Sequence, residues 1–510
     1  MSFKKSRKIK LLFACVLSAA LIFQGAFVLF DTAYGADEQT ADDLGYVDNQ
    51  LIVTFKEDVS NKEAADIVAF AVSEELVKDN ANVVGSSLAK IKKETSLKTI
   101  KSDENTMLVK LDGSLEEVSI AKEIARNPDV ERAQPNYRYK AGADSSNIKA
   151  GGAPGEKDDW YLDYIDAPEA WKLIEEQGEK TNDNTDLKPV TVAVIGVGNE
   201  TALIKEVAGK NQSDILSLLT IEAAATTEDL IESIDFARNH NAKIILLASG
   251  RHGYDGALER KVNKVAEDGV LFIAPAGDEG SDVAWYPSDF ENCMGCINTN
   301  KYTDAFSMAC KNDAASYGEN KNLSAPGTDI KIQYEDGGEV TETGSICSAA
   351  IVAGTAAMVM YVEPEMKADQ VKDVLEKSAN DICVSGYDVY TANGMVDAYK
   401  ALTLATGQKA KEDKVTLGKA NAKAKAETGH ILISWSAIKG ASNYVIYRKG
   451  PSDEDYMQVA SVNEEETSWS DSSCIVGKEY SFKVMAAATS KDGKKIRGEL
   501  SEAVSAKIGQ

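Results

Sequence analysis

Hydrolysis by a side-chain nucleophile needs a serine, threonine or cysteine and a base that takes its proton, most often histidine. This chain has three histidines: His240, His252 and His430. His252 follows Ser249-Gly250-Arg251 in a loop after a strand, a suitable place for a base in an α/β fold. The ordinary reading is a surface histidine. His240 ends a helix before Asn241, and His430 belongs to a separate C-terminal segment. Cys293 and Cys296 form a Cys-x-x-Cys pair with Cys310 nearby, but no second such pair or pair of histidines completes a zinc site. These cysteines, with Cys347, Cys383 and Cys474, read as one or two disulfides or as buried thiols. Carboxylate pairs such as Asp278-Glu279 arise by chance in a chain with 81 Asp and Glu. There is no glycine-rich phosphate loop and no metal-carboxylate motif.

The elements that would position such groups fall into several segments. Lys4, Lys5, Arg7, Lys8 and Lys10 precede an apolar run over 11–30, and Ala33-Tyr34-Gly35-Ala36 supplies small residues. Residues 1–36 read as a signal peptide cut near Gly35 or Ala36, so the protein is expected to be secreted, possibly retained at the cell surface. The rival reading is an uncleaved anchor, since the run is about long enough to span a bilayer. Removing residues 1–35 takes away five cations and Asp31, leaving 51 Lys and Arg against 80 Asp and Glu, a charge of −29. That excess argues against nucleic acid and anionic membrane surfaces as partners.

Residues 46–140 read as strands at 51–55, 106–111 and 130–139 with helices at 61–77 and 115–127, the order of a small ferredoxin-like α+β domain. A Gly-, Ala-, Ser- and Lys-rich linker covers 141–157. Over 158–405, apolar strands at 190–195, 215–219, 243–248 and 270–275 alternate with helical stretches such as 227–239. Unbroken apolar strands between helices imply an α/β, doubly wound, mostly parallel sheet. Residues 412–510 carry short alternating strands at 431–435, 444–449, 457–462 and 480–487, a β-sandwich pattern.

The residues Trp160–Trp171, Ala315-Ser316-Tyr317-Gly318, 323–330, 344–357 and 393–398 run collinearly with the conserved stretches of the subtilase family, which this segment resembles over almost its whole length. The segment ending in Val130–Tyr137 resembles the subtilase propeptide, and the C-terminal pattern around Trp435, Tyr444–Arg448 and Tyr480 is similar to a fibronectin type III domain. The resemblance implies a subtilisin-like fold, a Ser-His-Asp triad and an asparagine oxyanion donor.

The motifs place this chain's residues at those four positions. Gly196 stands at the aspartate in Val194-Ile195-Gly196. Leu203 stands at the histidine, in register with Val207-Ala208-Gly209, and the segment normally between aspartate and histidine is almost absent. Asp278 stands at the asparagine in Pro275-Ala276-Gly277-Asp278, where an ionised carboxylate has the wrong sign for an oxyanion. Ile346 stands at the serine in Gly344-Ser345-Ile346-Cys347-Ser348. Ser345 and Ser348 project about 100° away from Ile346 on a helix and read as packing serines. Cys347 reads as a buried structural thiol.

The expectation is therefore a non-catalytic subtilase homologue that binds a peptide or protein, its propeptide acting as an intramolecular partner and remaining uncut by self-cleavage. No cofactor is expected. The family's calcium sites often use the missing segment, which argues against calcium. The rivals are an active serine-type hydrolase with relocated residues, such as Cys347 or Ser345 with His252, and a cell-surface adhesion protein working through its C-terminal domain.

Overall fold

The structure, a computed structural model, describes residues 45–57, 59–79, 96–99, 105–111, 116–141, 148–150, 159–180, 187–196, 199–209, 212–222, 226–300, 311–334, 338–383, 386–408, 417–451, 456–463, 465–489 and 495–509. The expected signal peptide, Cys310 and most of the linker lie outside them.

The N-terminal unit runs β1 (Tyr46–Phe55), α1 (Asn61–Asp79), β2 (Ser96–Thr99), β3 (Thr106–Lys110), α2 (Glu117–Ile124) and β4 (Val130–Tyr137). Its sheet order is β2-β3-β1-β4, with the helices packed on one face over Leu51, Val53, Met107 and Val109. Alternate residues on the other face, Ile52 and Leu108, join the core of the next unit. Period-2 alternation with both faces apolar thus docks this unit rather than leaving it free.

The chain continues as β5 (Lys140–Ala141), β6 (Ile148–Ala150), α3 (Trp160–Tyr164), α4 (Ala167–Lys180), β7 (Val190–Ile195), α5 (Glu200–Ala208), α6 (Gln212–Ile215), β8 (Leu216–Ile221), α7 (Thr227–Asn239), β9 (Ile244–Leu247), β10 (Ser249–Gly250), α8 (Gly256–Glu267), β11 (Leu271–Pro275), β12 (Cys293–Thr299), β13 (Leu323–Pro326), β14 (Ile330–Gln333), β15 (Glu339–Glu342), α9 (Ser345–Val362), α10 (Ala368–Ser378) and α11 (Ala398–Ala405). Six strands form one parallel sheet in the order β13-β12-β11-β9-β7-β8. Val192, Val194, Ile244 and Leu246 face the core that contains α9, whereas Ala193, Ile195, Ile245 and Leu247 face the core that contains α7 and α8. Helices on both faces explain why these strands carry no polar alternation.

Three helix starts are set by N-cap side chains: Thr226 Oγ1 accepts from the Asp229 N–H, Asp255 Oδ1 from the Leu258 N–H and Asp397 Oδ1 from the Lys400 N–H. The 18-residue α9 is apolar all round and long enough to cross a membrane, but it is 89% buried in the protein core. The expected linker differs from expectation at one point. Its β6 adds to β15 in antiparallel register, Glu342 opposite Ile148 and Val340 opposite Ala150, which satisfies an otherwise open strand edge.

The C-terminal region holds β16 (Lys423–Glu427), β17 (His430–Ser434), β18 (Asn443–Lys449), β19 (Met457–Asn463), β20 (Ser468–Asp471), β21 (Glu479–Thr489), β22 (Lys495–Arg497) and β23 (Val504–Lys507). Two antiparallel sheets, β16-β17-β20 and β19-β18-β21-β22 with β23 on β21, enclose a core built on Ile431, Ile433, Trp435, Tyr444 and Phe482.

Candidate functional site

Sheet topology locates the site before any side chain is considered. The chain leaves β7 for β8 on one side and returns to β9 on the other, so the strand order reverses between β7 and β9. Ligands of open α/β sheets bind beyond the carboxyl ends of the strands at such a reversal. The first residues beyond those ends are Gly196 and Ala248, the latter followed by β10.

Of the four positions assigned from sequence, Gly196 follows β7 and Asp278 follows β11, while Leu203 lies on α5 and Ile346 on α9. Gly196 touches the neighbouring strand: a Cβ there would stand 2.5 Å from Ala248 Cβ, so no carboxylate fits without backbone movement. Leu203 on α5 is 0% exposed and Ile346 on α9 is 1% exposed, both within the same core. Neither reaches the surface where a substrate would sit.

Asp278 is bonded to the start of α9. Its Oδ1 and Oδ2 accept from the Ser345 N–H at 2.9 and 3.0 Å, and Oδ2 also accepts from Ser345 Oγ at 3.0 Å. Ser345 Oγ in turn accepts from the Gly277 N–H at 3.1 Å. A carboxylate at the positive end of a long buried helix is electrostatically favoured. Burial nevertheless dominates and pushes this carboxyl up to about 6, against the lowering effect of the Ser345 bonds and of Lys140. The N–H that could stabilise an oxyanion is therefore already committed to an acceptor.

Two further carboxylates, which sequence reasoning missed, lie nearby. Glu200 opens α5 and Glu342 closes β15, exposed by only 4% and 3%. Asn199 Nδ2 donates to Glu342 Oε2 at 2.9 Å, but Glu342 Oε1 and Glu200 Oε1 are buried with no hydrogen-bond partner. Burial, and secondarily the charge of Glu342, pushes Glu200 up to about 7. Cys347 is influenced by Glu342, Glu200 and Asp278, and burial pushes its thiol well up, so it is the reverse of an activated nucleophile.

His252 is not the plain surface residue expected from sequence. Its Nδ1 meets Ala284 O at 3.0 Å, its Nε2 meets Glu279 Oε2 at 2.7 Å, and its ring edge packs on Trp285 with centroids 4.8 Å apart. Both ring nitrogens face acceptors, so neither is directed at Ser345 or Cys347. Ser348 donates to Ala325 O, as a packing serine does. His240 stacks on Phe236 and His430 pairs with Glu427. Cys293 and Cys296 face opposite cores across β12, and with Cys347 and Cys474 they are thiols. Among the described residues no group of His, Cys, Asp or Glu could hold a metal ion. A cavity of about 490 Å³ opens on a different face of α5, between Tyr161, Trp171, Glu206 and Tyr334, and none of the four positions lines it.

The groove beyond the strand ends is occupied by the chain itself. β5 pairs antiparallel with β10, Ala141 opposite Ser249 and Lys140 opposite Gly250. Upstream, Tyr139 Oη and Gln134 Nε2 donate to the two oxygens of the buried Asp255 at 2.8 Å each. The Arg251 guanidinium lies 3.9 Å over the Tyr137 ring. Lys140 Nζ lies 3.5 Å from Glu279 Oε1.

Comparison with known proteins agrees with this frame. The chain is 24% identical over 386 residues to the thermophilic serine proteinase of Bacillus sp. (strain AK1), covering 70% of this chain and 88% of that one. It is 28% identical over 179 residues to the cell wall-associated protease of Bacillus subtilis (strain 168), covering 35% of this chain and 19% of that one. The crystal structure of fervidolysin from Fervidobacterium pennivorans, a keratinolytic enzyme related to subtilisin, matches with a TM-score of 0.51 at 13% identity, over 88% of this chain and 72% of that one, and so shows a shared fold. Residues 189–412, the middle of the chain, match the model of the Subtilase family.

Proposed function

We propose that this protein is an exported subtilase homologue without peptidase activity, which holds its own N-terminal unit in the groove and acts as a peptide- or protein-binding scaffold. The reading is supported by the residues at the four positions that the motifs assign to the catalytic groups, Gly196, Leu203, Ile346 and Asp278: a Cβ on Gly196 would meet Ala248, and the two aliphatic residues are buried. Losing a triad costs about 10⁶ in turnover, and the residual rate over water depends on an oxyanion site that Asp278 here obstructs. Pairing of β5 with β10 supports the second half of the reading, because it uses the backbone groups that an extended peptide would use. The cell-wall association printed for one relative and the basic-apolar N-terminus support export.

The test is the intact mass of the chain without residues 1–36, purified under denaturing conditions and refolded alone. An unchanged mass over days is expected. A clean cut between residues 139 and 159 with no other protease present would overturn the reading.

One observation favours a second reading, a relocated hydrolase: Ser345 Oγ is bonded to the Asp278 carboxyl, which burial raises to about 6. Labelling of Ser345 by a fluorophosphonate in folded protein would establish it. Ser345 is 0% exposed, and the expected result is no labelling.

A further inference from the structure

The cavity of about 490 Å³ beside α5 falls within the range of about 300–1,000 Å³ usual for small-molecule sites. Three of its lining residues are aromatic: Tyr161 on α3, Trp171 on α4 and Tyr334 just after β14. Each has its polar atom tied within the protein. Trp171 Nε1 donates to Val207 O at 2.8 Å, Tyr161 Oη donates to Glu206 Oε2, and Tyr334 Oη donates to Asn199 Oδ1. The rings are thereby fixed before any ligand arrives, which spares part of the ordering cost of binding. A Cβ on Gly209, at φ +84°, would stand 2.7 Å from the Trp171 ring, so the chain passes the indole where only glycine fits.

The polar lining carries both signs of charge. Asp159 and Glu206 supply carboxyl groups, and Lys205 and Lys331 supply ammonium groups. Asp159 stands at the N-cap of α3, yet its side chain makes no cap bond. Glu206 accepts from Tyr161 Oη and, at 2.6 Å, from the Gln333 N–H. Burial raises its carboxyl and the charge of Asp159 raises it further, against the lowering effect of those two bonds. A cation beside the two carboxylates relieves that repulsion. Gln212 Oε1, on the same lining, is buried with no hydrogen-bond partner, and such an acceptor calls for a donor. Lys331 Nζ is paired with Glu339 at 3.2 Å and keeps further N–H groups for a second acceptor. A purely anionic or purely cationic ligand would meet like charge here, whereas a zwitterion meets its counterpart in each pair. We propose that this cavity binds a small zwitterion with an aromatic side chain, an amino acid or dipeptide, its ammonium group taken by Asp159, Glu206 and Gln212 and its carboxylate by Lys205 and Lys331. The site is separate from the groove that holds the tail, and none of the four motif positions lines it.

The experiment is isothermal titration calorimetry on the chain without residues 1–36, with phenylalanylglycine as the probe and its N-acetyl and C-terminal amide derivatives beside it. Saturable binding at a single site is expected, weakened at least tenfold by either block. Equal binding of a blocked form, or no binding of the free dipeptide at millimolar concentration, overturns the proposal. Two variants locate the site. Asp159 is exposed and makes no cap bond, so Asp159→Asn is expected to fold. It should weaken the free dipeptide at least tenfold and leave the N-acetyl form unchanged. Ala202→Phe fills the cavity from α5 and should abolish binding. If that variant does not fold, Asp159→Asn decides alone: dipeptide binding that it leaves unchanged lies elsewhere on the molecule and overturns the assignment.

Discussion

Ser345 Oγ donates to Asp278 Oδ2 at 3.0 Å while accepting from the Gly277 N–H at 3.1 Å. The hydroxyl thus bridges the turn after β11 to the first residue of α9, a structural use of the serine that precedes Ile346. Ser345→Ala leaves the Gly277 N–H buried without a partner. A loss of about 1–3 kcal/mol in unfolding free energy is expected, read from urea denaturation. Amide hydrolysis in the parent that disappears in this variant would show the bridge to be catalytic instead.

A serine placed at position 346 is not expected to act as a nucleophile. Ile346 is 1% exposed in the core that α9 shares with α5, and Leu203 stands where a base would be needed. Ile346→Ser exchanges buried apolar volume for a hydroxyl and is expected to cost about 2–5 kcal/mol. No fluorophosphonate should attach to it. Stoichiometric labelling at residue 346 would mean that a base outside the family's geometry reaches this point.

Asp255 is the joint between the N-terminal unit and the parallel sheet. It caps α8 and accepts from Gln134, Tyr139 and Thr227 with 0% exposure. Asp255→Ala removes the cap and leaves three buried donors unpaired, for an expected loss of about 2–5 kcal/mol. Because two of those donors belong to the N-terminal unit, added protease should cut within residues 141–157 at least tenfold faster than in the parent. Equal cutting rates would separate Asp255 from docking.

What the sequence disclosed and what it hid divide along physical lines. Unbroken apolar runs placed β7 at 190–195 and a 3.6-residue period placed α7 at 227–239, both as found, because burial on two faces or one leaves a local pattern. The subtilase-like motifs placed Ile346 at the head of α9 for a similar reason, as glycine and small residues there serve close packing. β6 was hidden in a small-residue stretch because its pairing with β15 is a backbone interaction between distant segments. Glu200 and Glu342 were hidden because a glutamate ordinarily signals solvent, and only the fold brings both under cover.

Those hidden carboxylates give the protein an unusual response to acid. Burial raises the Glu200 carboxyl from an ordinary 4.5 to about 7, and Asp278 is raised likewise to about 6. A group with a raised native pKa binds its proton more tightly in the fold than in the unfolded chain. Its stabilising effect is complete below the unfolded value and is lost as pH climbs through the native one. For Glu200 the window runs from about 4.5 to 7, and at 1.36 kcal/mol per unit the loss is about 3 kcal/mol. Glu200→Gln keeps the neutral shape and removes the titration. The variant should match the parent at pH 4, pull ahead steadily, and stand about 3 kcal/mol more stable at pH 8, measured as urea midpoints across the range. Comparison with the variant cancels the opposite contributions of exposed paired carboxylates such as Glu427 and Glu502, whose native values are lowered. A difference between variant and parent that stays flat from pH 4 to 8 would mean that Glu200 is solvated or paired in solution, and that Glu200, Glu342 and Asp278 are not buried as a group.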